Sequence, residues 1–235
     1  MRLRKVTISG ADADTPAGAL DALEERYPFV EWAILVSPKR AGGPRYPAPD
    51  ALAGLVDGRA ACHCAFHLCG TAARQTLGGD GFARPPPGLR IQLNGFTQWV
   101  DEHGPLTPVG QWMTAVRAAG VEVILQVQHE RALSVARLLA DIHPNVSALW
   151  DQSGGRGRLT AWPDPLPGLR MGYAGGITPD NVKHALEDLA ARTTDGETWI
   201  DMESGVRTDD KLDLAKVESV LAQAEPYVHH GEAVQ

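Results

Sequence analysis

The chain has no run of basic residues, and its 235 residues carry a net charge of −7. That balance excludes a general nucleic-acid binder. It leaves room for a small anionic ligand, because one local cluster of backbone N–H groups is enough to seat one. Cysteine is scarce, with only Cys62, Cys64 and Cys69, all within one short stretch. An odd number so close together does not build a disulfide framework and points to a reducing compartment. The "CHC" at 62–64 has no second ligand group at metal-site spacing, so no metal is expected. No apolar run approaches a membrane span, and the apolar part of "MRLRKVTISG" is too short for a signal peptide. The expectation is a soluble, cytoplasmic protein, monomeric or homodimeric, with no membrane or nucleic-acid partner. No lysine is expected within a barrel strand, which disfavours a Schiff-base aldolase.

What the chain does have is alternation. Strand-like segments read "KVTISG", "VEWAILVS", "CHCAFHLCG", "LRIQLNG", "VEVILQVQ", "VSALWDQSGG", "LRMGYAGG" and "TWIDMESG". Helical stretches such as "AGALDALEERY", "DALAGLV", "ALSVARLLADI" and "KVESVLAQA" lie between them. The fourth connection, from Phe96 to about Ala119, is the longest and has room for an extra turn. Alternating β and α elements imply a parallel sheet with right-handed crossovers. Eight such units in this length match an α/β fold of the closed (β/α)8 TIM-barrel type, with an open doubly wound sheet as the rival. Residues 1–228 read as one barrel domain and 229–235 as a loose tail.

Polar residues fall at or near the C-terminal ends of these strands: Ser9, Ser37, His67, Cys69, Gln92, Asn94, Gln126, Gln128, Asp151, Asp201 and Glu203. A barrel gathers those ends on the face that carries active sites. Because side chains alternate along a strand, His67 and Cys69 share a face, as do Gln92 and Asn94, Gln126 and Gln128, and Asp201 and Glu203. Burying so many polar groups without partners costs a few kcal/mol each, so part of the set is expected to line a pocket.

The stretch "MGYAGGITPDNV", 171–182, gives that pocket an anion seat. Gly175 and Gly176 permit a tight turn, Thr178 is a good N-cap, and Pro179 falls at the first helical position. A helix N-terminus is thereby exposed. The eighth strand ends "MESGVR", so Ser204 and Gly205 are expected to converge on the same corner, where such barrels hold phosphate. The sixth strand runs into "WDQSGGRGRLTAW", where Gly154, Gly155 and Gly157 allow another close backbone approach and Arg156 or Arg158 adds charge.

Taken together, these segments make the chain resemble the phosphoribosylanthranilate isomerase family. "WDQSGGRGRLTAW" is similar to that family's Asp-containing sixth-strand motif, and "AGGITPDNV" to its seventh-strand phosphate loop. "IDMESGVRTDDKLDLAKV" is similar to its Asp-Val-Ser-Ser-Gly-Val-Glu segment, "SPKRAGGPRYP" to its Ser-Pro-Arg-Tyr, and "FHLCG" to its Gln-Leu-His-Gly. The resemblance implies an Amadori rearrangement in tryptophan biosynthesis, in which an aminoaldose phosphate opens and becomes an aminoketose phosphate without a cofactor. It implies Asp151 as the acid and Arg45 as the contact for the substrate carboxylate; from the strand ends themselves, Gln92, Asn94, Gln126, Asp201 and Glu203 are expected around the substrate. An acid at Asp151 must hold a proton near neutrality.

The base is where the chain departs. The family carries Cys in Lys-Ile-Cys-Gly on the first strand, and "VTISG" places Ser9 there. A serine hydroxyl is too weak an acid to act as a base without a partner, though it can hold a water or a substrate oxygen. Cys69 as a thiolate, His67, or Asp12 or Asp14 from "GADADT" are the replacements in view. Glu203, where the family usually has Ser, favours with His67 and the glutamines of the fourth and fifth strands a second reading, a sugar-phosphate epimerase, lyase or hydrolase; a third is a non-catalytic barrel that binds a phosphometabolite.

Overall fold

Each apolar run becomes a parallel strand, and the strands close on themselves. In this computed structural model, which describes residues 1–12, 14–80, 88–104, 109–153, 161–192 and 196–228, eight strands form a closed barrel. They are β1 (Arg2–Ser9), β2 (Val30–Val36), β3 (Cys64–Leu68), β4 (Arg90–Leu93), β5 (Glu122–Val127), β6 (Val146–Trp150), β7 (Met171–Ala174) and β8 (Glu197–Met202). Parallel strands buried on both faces need apolar residues on both sides, which is why these segments read as near-continuous runs. The closed barrel, not the open sheet, is the architecture.

The helices are α1 (Ala17–Arg26), α2 (Pro49–Val56), α3 (Thr71–Leu77), α4 (Phe96–His103), α5 (Val109–Arg117), α6 (Glu130–Ile142), α7 (Val182–Arg192) and α8 (Leu214–Ala224). They are not distributed one per strand. The long β4–β5 connection carries both α4 and α5, and among the described residues the β6–β7 connection carries none. Pro163, Pro165 and Pro167 account for the second fact. Each lacks an N–H and clashes with the preceding turn, so the segment cannot continue as a helix. No helix among the described residues is long and apolar enough to cross a membrane.

The helices pack on the outside, sealing residues such as Leu133, Leu186 and Val220 against the outward faces of the strands. The barrel interior is layered. At mid-depth Trp199 lies across the axis from β8, fully buried with Ile124, Leu149 and Ala174. A Cβ on Gly172 would come within 2.1 Å of the Trp199 ring, so the small residue on β7 is the seat for the large one on β8. Beneath lies a charged layer. Arg90 donates to Glu31 at 2.8 Å, stands 3.3 Å from Glu122, and stacks 4.3 Å over the Trp199 ring. Thr7 also donates to Glu31, and Ser147 to Glu122. Burial alone would raise Glu122, but Arg90, Arg4 and Arg170 hold its carboxyl down at about 2.

One chemical expectation fails. β1 begins at Arg2 and takes in Lys5, so a barrel strand does contain a lysine. Its ammonium donates to the Cys62 carbonyl at 2.7 Å, just before β3 begins, at the end of the barrel away from the polar strand termini. It lines none of the cavities described below.

Candidate active site

Strand register fixes which side chains meet at the C-terminal mouth. Ser9 pairs with Ala33, His67 with Gln92, and Asp201 lies between Thr7 of β1 and Ala174 of β7. An inner cavity at this level is lined by Ser9, His67, Gln92, Asn94, Gln126, Asp151, Asp201 and Glu203 together with the turns after β7 and β8. It opens past Asn94, Gln126 and Glu203 into a larger outer cavity of about 740 Å³. That size falls in the usual range for small-molecule pockets.

Hydrogen bonds tie these side chains into two groups, one around Asp151 and one running from Asp201 through Ser9, His67 and Gln92 to Asn94. Gln126 donates to Asp151 Oδ2 at 2.8 Å and Ser153 to Oδ1 at 2.6 Å, so both carboxyl oxygens are engaged. Ser9 donates to Asp201 Oδ1 at 2.7 Å and lies 3.3 Å from His67 Nδ1. Gln92 donates to Asn94 Oδ1 at 2.8 Å, and Asn94 donates onward to the Cys69 sulfur. Asp151 and Asp201 are only 4% and 6% exposed, so an ionic charge on either is felt by the other. Burial pushes Asp201 up to about 7, the carboxylates of Asp151, Glu203 and Glu31 adding to it and the Ser9 hydrogen bond opposing it.

Two of the expected bases change character here. Burial, helped by the charge of Arg90, pushes His67 down to about 3, so its imidazole is neutral across the physiological range. Burial pushes the Cys69 thiol up, and Cys69 lines the outer cavity, not the inner one. Asp12 accepts from Arg207, and Asp14 stands 3.9 Å from Lys211. Both acids border a separate cavity. None of the three alternatives is a ready base inside the inner cavity.

The glycine corner is built by close approach. Gly175 and Gly176 have φ of 99° and 69°, a conformation side chains other than glycine resist. A Cβ on Gly205 would lie 1.8 Å from the Ile177 carbonyl oxygen, so the turn after β8 rests directly on the turn after β7. Asn181 locks the first turn, accepting from the Thr178 N–H and donating to the Gly176 carbonyl, each at 2.8 Å. The regular helix starts at Val182, three residues later than a Pro179 start implies. The Thr178 carbonyl still accepts the Val182 N–H, as an N-cap carbonyl does. Gly154, Gly155, Arg156, Gly157 and Arg158 lie outside the described residues.

Arg45 is engaged elsewhere. It donates to Glu203 at 2.6 Å and to Asp210 at 2.6 Å, from a backbone held at φ 67° on the rim of the outer cavity. Trp150 and Trp162, which flank Asp151 in sequence, pack into the core; Trp162 donates to the Ala174 carbonyl and lies against Tyr173. Sequence reasoning missed Ser153, which shares the Asp151 face two residues on, and that spacing was the available signal.

A family model described as N-(5'-phosphoribosyl)anthranilate (PRA) isomerase matches residues 99–223. The N-(5'-phosphoribosyl)anthranilate isomerase of Synechococcus sp. (strain JA-3-3Ab) is 33% identical over 153 residues, covering 57% of this chain and 61% of that protein. The enzyme of the same name from Erythrobacter litoralis (strain HTCC2594) is 32% identical over 143 residues, covering 53% and 61%. The matches thus span about three fifths of these relatives' length. The structure of N-(5'-phosphoribosyl)anthranilate isomerase from Pyrococcus furiosus superposes with a TM-score of 0.51 over 94% of this chain and 98% of that one, at 15% identity, which is a likeness of fold. With the family model matching over half its length, the chain belongs to the N-(5'-phosphoribosyl)anthranilate isomerase family.

Proposed function

We propose that the chain isomerises a small phosphorylated aminoaldose, phosphoribosylanthranilate in the first instance, by general acid and base catalysis and with no cofactor. The observation that carries this reading is the single inner cavity bounded by the two glycine turns on one side and by Asp151, Ser9 and Asp201 around the rest. The turns after β7 and β8 seat the phosphate on backbone N–H groups, with Ser204 adding a hydroxyl. Asp151 protonates the ring oxygen as the sugar opens, and Gln126 and Ser153 fix its carboxyl plane. Gln92 and Asn94 face the sugar hydroxyls, and the aglycone lies in the outer cavity. Loss of anthranilate fluorescence on adding phosphoribosylanthranilate to the purified protein is the expected result. No turnover under conditions where a control isomerase is active would overturn the reading.

The pair of Arg45 and Glu203 bears on the aglycone. A substrate carboxylate that reaches Arg45 must displace Glu203, whose own charge repels it. Both side chains are about a quarter exposed, so solvent screens the pair and its worth is modest. Glu203→Ser therefore lowers KM for the carboxylated substrate by roughly three- to tenfold, corresponding to about 1 kcal/mol. A steady-state titration checks it; an unchanged or raised KM removes Arg45 from carboxylate binding.

A further inference from the structure

The rearrangement needs a base at C2 of the opened sugar, and Ser9 alone cannot be one. We propose that Asp201 is that base and that Ser9 is its positioning residue. The assignment rests on the isomerase reading above.

Geometry narrows the choice. Among the described residues lining the inner cavity, the ionisable side chains are His67, Asp151, Asp201 and Glu203. Asp151 is taken by the ring oxygen. Glu203 is turned to Arg45 at the mouth. His67, wholly enclosed, is too weakly basic to hold the proton it would have to accept. Asp201 is buried on the cavity wall, and its Oδ1 is fixed by Ser9. Ser9 has one proton and gives it to Asp201 Oδ1. His67 Nδ1 lies 3.3 Å from the Ser9 oxygen and 3.4 Å from Gln92 Nε2. The Ser9 bond leaves the second oxygen of Asp201 for the substrate.

The step balances without a further reagent. After Asp151 has given its proton to the ring oxygen, the aldose is an open-chain iminium. The ionised Asp201 takes the C2 proton and becomes a carboxylic acid. The C2–H electron pair forms the C1–C2 double bond, and the iminium electrons return to nitrogen, giving an enolamine. The acid form of Asp201 then gives its proton to C1 while the C2 hydroxyl proton passes to the Asp151 carboxylate, which completes the ketose and restores both side chains.

The charges that face Asp201 set its working range. Glu203 faces it from the turn after β8, Asp151 from just past β6, Glu31 from β2 and Arg90 from β4, with Ser9 on β1 and neutral His67 on β3. A base must be ionised, so kcat/KM for phosphoribosylanthranilate has an acidic limb that rises with pH through about 7.

The experiment uses purified full-length chain, phosphoribosylanthranilate and the fluorescence readout. Asp201→Asn loses roughly a hundred- to ten-thousand-fold in kcat with KM within a few-fold. Ser9→Ala keeps part of kcat but moves the acidic limb upward, since a hydrogen bond favouring the carboxylate is gone. In the Asp201→Asn background Ser9→Cys restores part of the activity, because a thiol ionises far more readily than a hydroxyl. A folding control comes from linkage. The folded-state value of about 7 lies above the ordinary 3.8, so the buried carboxylate costs stability increasingly as pH rises between them. Asp201→Asn removes that cost, and its melting temperature matches or exceeds wild type at pH 8, with a smaller gain at pH 5. Wild-type turnover combined with Asp201→Asn activity within tenfold of it overturns the assignment alone. So does a wild-type profile with no acidic limb near 7. Absence of wild-type turnover removes the isomerase reading and this assignment with it.

Discussion

Asp151→Asn is expected to lower kcat for phosphoribosylanthranilate by roughly a hundred- to ten-thousand-fold, the range that a positioned acid contributes. The change is nearly isosteric, so the cavity keeps its shape, but an amide has no proton to deliver to a departing ring oxygen. One local cost follows. Gln126 and Ser153 each donate to a different carboxyl oxygen. An amide presents only one acceptor oxygen, so one donor meets an N–H group instead. That loss is worth about 1–3 kcal/mol for a buried donor left unmade. The phosphate seat lies on other loops, so inorganic phosphate protects the variant against thermal unfolding as it protects wild type. Measuring kcat, KM and this protection on one preparation separates the roles. A variant that keeps turnover within tenfold of wild type would falsify Asp151 as the acid. A variant that binds phosphate and loses turnover excludes the non-catalytic barrel, which has no activity to lose.

The barrel was legible because its signal is local. Each strand is a short apolar run that ends in a polar residue, and period two then assigns faces without knowledge of any partner. Ser9, His67, Gln92, Gln126, Asp151 and Asp201 could be gathered from those endings alone, and they line one cavity. The glycine corner was legible for the same reason, since Gly175, Gly176 and Gly205 stand at strand ends in adjacent units.

What stayed hidden depends on register between distant strands. Nothing in "LRIQLNG" reveals that Arg90 will face Glu31, 59 residues away, or lie beneath Trp199. Asp201 reads as one more strand-end carboxylate until Ser9, 192 positions earlier, is seen to donate to it and the surrounding acids are seen to press on it. His67 and Cys69 looked like bases from their intrinsic chemistry, and burial reversed both. The lack of a helix among the described residues between β6 and β7 is a different case. Its three prolines were in plain view, but the regular alternation of the other units outweighed them.

The charged layer under Trp199 yields the largest stability effect. Arg90→Met is expected to destabilise the fold by about 3–5 kcal/mol, the usual result of removing one partner from a buried ion cluster. Methionine matches the length of the side chain and fills the space. It leaves Glu31, which is 0% exposed, with the Thr7 hydroxyl but without its cation, and it removes the stack on Trp199. Glu122 is less affected because Arg4 and Arg170 still face it. Arg90→Lys recovers only part of the loss, because an ammonium cannot span Glu31 and Glu122 while stacking on an indole. Urea unfolding of the three proteins at pH 8 tests this. An Arg90→Met protein as stable as wild type at pH 8 would mean that the layer is held by packing around Trp199 and not by its charges.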